Sequence, residues 1–449
     1  MPFEPLGKKG KKAIDIASRS AISTRLASMV STFYSGSWVD ANNKYRRGTG
    51  KTLQEDLKAG HSVDDSSLSE YIAASGPLHC ADGWAYLGRA LLCHCRGDSE
   101  TSRHLAYYAE LRAAMALLAT EGIGIFKSTH YVVDRTAQCH ELIGSSTHDI
   151  SWKALEYWGS LSRSADLLGS VIRPSGIPLR DWLVAFNAGT ALQSLGIEWL
   201  KSWGLDLRHL IEDRDARNES SYEPTAINPV PSLDGLDTAS FLRELWELHE
   251  PSLPSRFDQL DRHLLRIGLE KGYSARNDAT PEERPSDYEA DVGKMLSSLS
   301  LDGSLMEGWI SFLTRGSDSY NGRIIREAEN TSDSTDPCHH MEVISRANLL
   351  LRVATGASEQ LLGSAGVGRQ ELEFWWLSLG EDRGLWAPGE EPEELIDLWS
   401  DVKDELVETE RWEEQKSKPT PISHWLQDRH KQITSLSGSE RIALWGLGL

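Results

Sequence analysis

The sequence predicts an all-α protein, a multi-helix bundle, and three observations carry that expectation. The stretch Ser99–Gly122 spaces Leu105, Tyr108, Leu111, Met115 and Leu118 three and four apart, which is a helical stripe. Further segments of ten to twenty-five residues repeat that spacing, between breaks of Gly, Pro and Asx residues. No series of alternating strands and no fixed repeat length emerges. The chain's 449 residues suffice to bury a core without disulfides.

In chain order, the first segment expected is a basic arm with a first helix, residues 1–51. It carries ten Lys or Arg against three Asp or Glu, a balance of +7, so the remainder holds −27 of the net −20. The start, LGKKGKK, reads as a solvated arm, and Lys11–Phe33 as one helix. Ser35–Ser67 reads as loop with one short helix. It contains GTGKT at Gly48–Thr52, but phosphate-loop spacing needs a glycine where Tyr45 stands, and no strand precedes it.

The second segment, 52–224, centres on Ser99–Gly122. Asp98 or Ser99 caps the helix, Glu100 complements its dipole and Gly122 ends it. Ala106, Ala109, Ala113 and Ala116 form a small-residue stripe for close helix approach, while Glu110 and Arg112 interrupt the apolar run and need polar partners. Asp82–Arg96 precedes it as a helix, and Ile123–Leu142, with glycine and β-branched residues, reads as an extended excursion. Helices follow from Thr147, from Pro178 towards Trp199, and from Leu205 into RDARNESSYEP. Prolines and turn residues in Pro224–Asp237 mark a boundary to a helical middle region, 225–330. The hydrophilic Glu327–Pro337 leads into a helical C-terminal region, 331–449. The sixteen tryptophans read as anchors between helices.

Composition excludes several classes. No apolar run is long enough for a transmembrane helix. Five unevenly spread cysteines and no signal-peptide core suggest reduced thiols in a cytoplasm. The acidic surface argues against general duplex binding. His79, Cys80, Cys93, His94 and Cys95, and later Cys338, His339, His340 and Glu342, lack the paired spacing of a zinc site, so no metal and no cofactor is expected.

Cleaving RNA without metal needs a base for the 2′-hydroxyl and a cation for the phosphate, which histidine and arginine supply. Arg-x(4–6)-His occurs at Arg89/His94, Arg135/His140, Arg243/His249 and Arg256/His263. The run RHLAYYAELRAAMALLA, followed by GIGIF and a histidine-bearing excursion, resembles the HEPN superfamily, as does GLDLRHLIEDRDARNESSYEP downstream. The resemblance covers about Asp82 to Pro224. It implies a HEPN-like helical core, often a dimer, in bacterial defence against phage, with metal-independent RNA cleavage or partner binding as the activity. It also implies site residues: Arg217 and Asn218 stand where such domains carry Arg-Asn-x-x-x-His, and Tyr222 replaces the histidine. A phenol is a poor base at neutral pH. The candidate site residues are therefore Arg217, Asn218 and Tyr222, or Arg135 and His140. The expected partners are RNA, defence-system proteins or a second copy, and no membrane. The alternative is a helical scaffold that docks proteins through its tryptophan-rich C-terminal half.

Overall fold

The computed structural model describes residues 4–187, 196–222, 233–252, 255–299, 301, 303–315, 322–332, 336, 338–416 and 418–449; the side chains of 197 and 219–222 fall outside that set. The structure is 69% helix with one small sheet, so the all-α expectation holds.

Its framework is three long helices. Ser99–Thr120 packs along Asp65–Cys95 on one side and His339–Ser364 on the other. The Asp98 carboxylate accepts from the Thr101 amide at 3.1 Å, and Gly122, at φ +83°, turns the chain out of the helix. Ala106, Ala109, Ala113 and Ala116 are all buried, as the close-approach stripe requires.

The preceding helix starts at Asp65 rather than Asp82, because Asp64 caps it by accepting from the Ser67 amide at 3.0 Å. Pro77 lies inside it and forfeits a backbone bond. Close packing on the central helix offsets that loss: a Cβ on Gly76 would lie 3.2 Å from Thr120 Cγ2. The third long helix is buried almost throughout, its polar residues included.

After Gly122 the excursion is a three-stranded antiparallel meander, β1 (Ile123–Ile125), β2 (His130–Val133) and β3 (Cys139–Leu142). Ile123 pairs with Val132, and Val132 with His140.

Two expectations for the N-terminus are corrected. The single helix over 11–33 is three, Lys8–Ile16, Arg19–Ser28 and Val30–Tyr34. The first break is at Ser18, whose amide joins the meander by donating to the Val133 carbonyl at 2.9 Å. Nor is the arm wholly solvated, although Lys8, Lys9 and Lys12 are exposed. Leu6, Ala13 and Ile14 are buried against β2, β3 and the Thr147–Gly159 helix, and the Lys11 ammonium lies 5.2 Å over the Tyr157 ring. An apolar stripe at helical spacing runs between the lysines. At GTGKT a helix, Thr49–Ala59, begins, with Lys51 exposed near Glu55 and Tyr45 buried on Asp56.

The boundaries at 51/52, 224/225 and 330/331 do not separate packing units. Buried apolar side chains from all four segments form one contiguous cluster, and His339–Ser364 from the last packs on helices of the second. Residues 223–232, where the proline-rich boundary was expected, lie outside the described residues. All sixteen tryptophans are described; thirteen are buried, and Trp38, Trp375 and Trp399 are half-buried. They anchor helices to one another, as in the contact of Trp246 with Trp399 and Trp445.

Candidate functional site

The site is built where the Leu207–Tyr222 helix crosses the central helix. Asp213 anchors that crossing. Its carboxylate accepts two bonds of 2.7 Å from Nε and Nη2 of Arg346 on the third long helix, with both side chains essentially inaccessible to water. Glu342 lies 3.7 Å and Glu110 4.0 Å from the same guanidinium, and His339 is 3.7 Å from Asp213. Burial, then the charge of Asp213, pushes the Glu110 carboxyl well above its ordinary range, against the pull of Arg346. Both influences favour the neutral acid over the carboxylate. Its Oε atoms have no hydrogen-bond partner among the described residues, and its ion-pair contact is with Arg346. The expectation that Glu110 has a polar partner is met in this form. Arg112 is half-buried, donating to His79 Nδ1 at 2.8 Å and lying 3.7 Å from Asp82.

One turn beyond Asp213, Arg217 lies over two tyrosines of the central helix. Its guanidinium carbon is 5.3 Å from the centre of the Tyr107 ring and 5.4 Å from that of Tyr108. Its Nη2 reaches His148 Nε2 at 3.4 Å, and His148 Nδ1 meets the Tyr107 hydroxyl at 3.0 Å. These partners fix the imidazole. A guanidinium can only donate, so Nε2 carries the lone pair and the ring proton sits on Nδ1, donated to the Tyr107 oxygen. Burial, then the charges of Arg217 and Arg214, lowers the His148 pKa below 6.5, so the ring is neutral at pH 7. His104 is lowered in the same way, by burial and Arg217.

The aromatic surface continues. Tyr108 stacks on Tyr86 at 5.5 Å with 24° between planes, and the exposed Arg89 covers Tyr86 at 5.3 Å. Two arginines, Arg89 and Arg217, thus lie at the ends of a run of tyrosines, of which Tyr86 and Tyr108 are half-buried and Tyr107 is buried.

The sequence candidates distribute unevenly on this geometry. Arg217 is at the centre of the cluster. Asn218 is interior to a helix that runs on to Tyr222, so it does not cap an end there. The side chain of Tyr222 lies outside the described residues. Arg135 and His140 stay on the meander: His140 Nε2 is 2.7 Å from Asp134 Oδ2, and Arg135 is exposed in the β2–β3 turn. Burial works to raise the Asp134 pKa, but bonds from Thr136, His140 and Gln138 outweigh it and hold it at about 2. No described contact joins this pair to Arg217. The other cations of the 208–217 run are neutralised locally, Arg208 by Asp206 at 2.6 Å, His209 by Glu212 at 3.1 Å and Arg214 by Asp215 at 2.9 Å.

Tyr107, His104 and His148 were not singled out from sequence, and Tyr108 was read only as part of the helical stripe. The tyrosine pair in an alanine-rich helix was the available signal; His148 gave none, since packing alone brings it to Arg217. The cysteine and histidine sets resolve into unrelated pairs: Cys80 with Thr355 at 3.1 Å, and His94 with His340 at 2.8 Å. Among the described residues no group of three His, Cys, Asp or Glu could hold a metal ion, and no helix is long and apolar enough to cross a membrane.

No protein-family model matches the chain, and no curated protein or solved structure matches it either.

Proposed function

We propose that this chain acts on single-stranded RNA and cleaves it without a metal ion at Arg217 and His148, as a HEPN-like component of bacterial anti-phage defence. One observation carries the reading: a neutral imidazole presents its Nε2 lone pair beside a guanidinium on an aromatic platform. Tyrosines flanked by two arginines suit an unpaired strand, whose bases stack on aromatic rings and guanidinium planes. A duplex keeps its bases stacked inside and gains nothing from such a face.

The chemistry follows from the two groups. His148 Nε2 takes the proton of a 2′-hydroxyl, and the oxygen attacks the adjacent phosphorus. Arg217 leaves the imidazole for the non-bridging oxygens, where it offsets the growing negative charge. The O5′ bond breaks, the leaving oxygen takes a proton from water, and the products are a 2′,3′-cyclic phosphate and a 5′-hydroxyl. His148 would then stand for the histidine that Tyr222 replaces in the Arg-Asn-x-x-x-His pattern.

The test is incubation of purified protein with labelled single-stranded RNA in EDTA. Cyclic-phosphate ends are expected, lost by about 10²-fold or more in His148→Ala and Arg217→Ala, with melting curves little changed. Because the His148 pKa lies below 6.5, the rate rises with pH below 6.5 and is level at neutrality. Cleavage that survives both substitutions refutes the assignment. A binding-only role on the same face is the second reading, favoured by the engagement of Arg217 with Tyr107, Tyr108 and His148; RNA bound but left intact would establish it.

A further inference from the structure

Away from this face, a cleft of about 560 Å³ opens at the C-terminal end of the His339–Ser364 helix. Its lining includes Arg173, Arg256, Glu359, Gly356 and Gly448. Arg173 follows the Ser162–Val171 helix, and its side chain donates only to the Gly176 carbonyl. Arg256 precedes the Asp258–Asn277 helix, and its side chain donates only to the Trp445 carbonyl. Among the described residues neither arginine has a carboxylate within ion-pair distance, and Glu359 has no hydrogen bond or ion pair at all. Three opposed charges thus surround one space without pairing, in a protein whose Arg346 and Arg352 are each matched by a buried aspartate.

The floor is open by construction. A Cβ on Gly356 would lie 2.7 Å from Arg352 Nη1 and 3.0 Å from Val171 Cβ, so only glycine leaves that space clear. Nη1 is also the one Arg352 nitrogen with no partner among the described residues; Nε and Nη2 are held by Asp261 and the Val171 carbonyl. Gly448, at φ +82°, brings backbone close to Glu359 in a conformation that favours glycine. Apolar surface comes from Val171, Val367 and Leu447.

We propose that this cleft binds a small aliphatic zwitterion of the free amino-acid class, its carboxylate on Arg173 and Arg256 and its ammonium on Glu359. The helix end adds partial negative charge for the ammonium. A phosphate ester would meet the Glu359 carboxylate, and a bare cation would meet two arginines; the zwitterion satisfies both sets at once. Its volume falls within the usual range for small-molecule pockets, roughly 300–1,000 Å³. Burial raises the Glu359 pKa, against the pull of Arg352, Arg256 and Arg173, and an incoming ammonium would relieve that cost.

The experiment is isothermal titration of the full chain with L-leucine, N-acetyl-L-leucine and L-leucinamide. Saturable binding of L-leucine is expected, with each analogue weaker by about tenfold or more. Glu359→Gln and Arg173→Gln, both at positions with no opposite charge within ion-pair distance among the described residues, should weaken L-leucine to the same extent while melting like the parent chain. Arg256→Lys serves as a further variant that retains charge and loses the forked geometry. Equal binding of the acetylated compound would reduce the site to an anion pocket and overturn the assignment of Glu359. No saturation with L-leucine up to about 10 mM, or equal binding by all variants, would overturn the proposal.

Discussion

Asp213→Ala tests whether the buried quartet sets the crossing of the Leu207–Tyr222 helix. The substitution removes two charge-assisted bonds of 2.7 Å and leaves the Arg346 guanidinium in the interior. Losing one partner of a buried pair costs about 3–5 kcal/mol. Two neighbours limit the damage here: Glu342 at 3.7 Å and Glu110 at 4.0 Å can turn towards the orphaned cation. Glu110 can also release its proton, because the aspartate that opposed its charge is gone. The expected cost is therefore near the lower end, about 3 kcal/mol. Urea unfolding measures it, and hydrogen exchange across residues 207–222 locates it. A double-mutant cycle sharpens the argument. At about pH 4, where the carboxyl is protonated in the folded and unfolded chain alike, Glu110→Gln replaces one neutral side chain with another of the same shape, so it should shift stability by less than about 0.5 kcal/mol. In the Asp213→Ala background the same change removes a carboxylate recruited by Arg346, and should cost about 1–3 kcal/mol. A large loss of stability on Glu110→Gln at about pH 4 would mean that Glu110 is ionised in the folded chain. A cost below about 1 kcal/mol for Asp213→Ala would mean that the pair does not hold the crossing.

The raised Glu110 pKa also has a signature in pH. Above 4.5 the unfolded chain has released this proton while the folded chain retains it, so its contribution is full below 4.5 and is lost as pH rises. The stability difference between Glu110→Gln and the parent should accordingly grow in favour of the variant from about pH 5 towards pH 8; a flat difference would refute the neutral acid. Deleting the first ten residues should cost about 2 kcal/mol, since Leu6 is only 5% exposed. Thermal melting checks this, and an unchanged midpoint would restore the arm to solvent.

What could be read from sequence was what its own neighbours determine. The central helix carries its cap, stripe and stop within a single stretch, so Asp98 and Gly122 marked both ends. Pro77 concealed the first half of the Asp65–Cys95 helix, because local propensity says nothing of the Thr120 packing that offsets the proline. Lys8, Lys9, Lys11 and Lys12 concealed the stripe of Leu6, Ala13 and Ile14 by dominating the composition. The site was legible only at Arg217. Its tyrosines lie on another helix and His148 on a third, and the Asp213–Arg346 pair joins residues far apart in the chain. Asp213, counted among the acidic residues of the surface, therefore lies at the centre beside Glu110, which the interrupted apolar run had already marked as interior.

The seat of the His339–Ser364 helix has a consequence for how the chain is made. Its position along Ser99–Thr120 means that a ribosome delivers the central helix about 240 residues before the partner that covers one of its sides. At roughly 5–20 residues per second that interval is about 12–50 s. Throughout it the nascent chain displays an uncovered apolar trough with Glu110, joined part-way by Asp213, awaiting Arg346. Closure needs contacts of long sequence separation, which form slowly. Final assembly is therefore a late event, gated by the arrival of the last quarter of the polypeptide, and the unfinished chain is the form most exposed to aggregation.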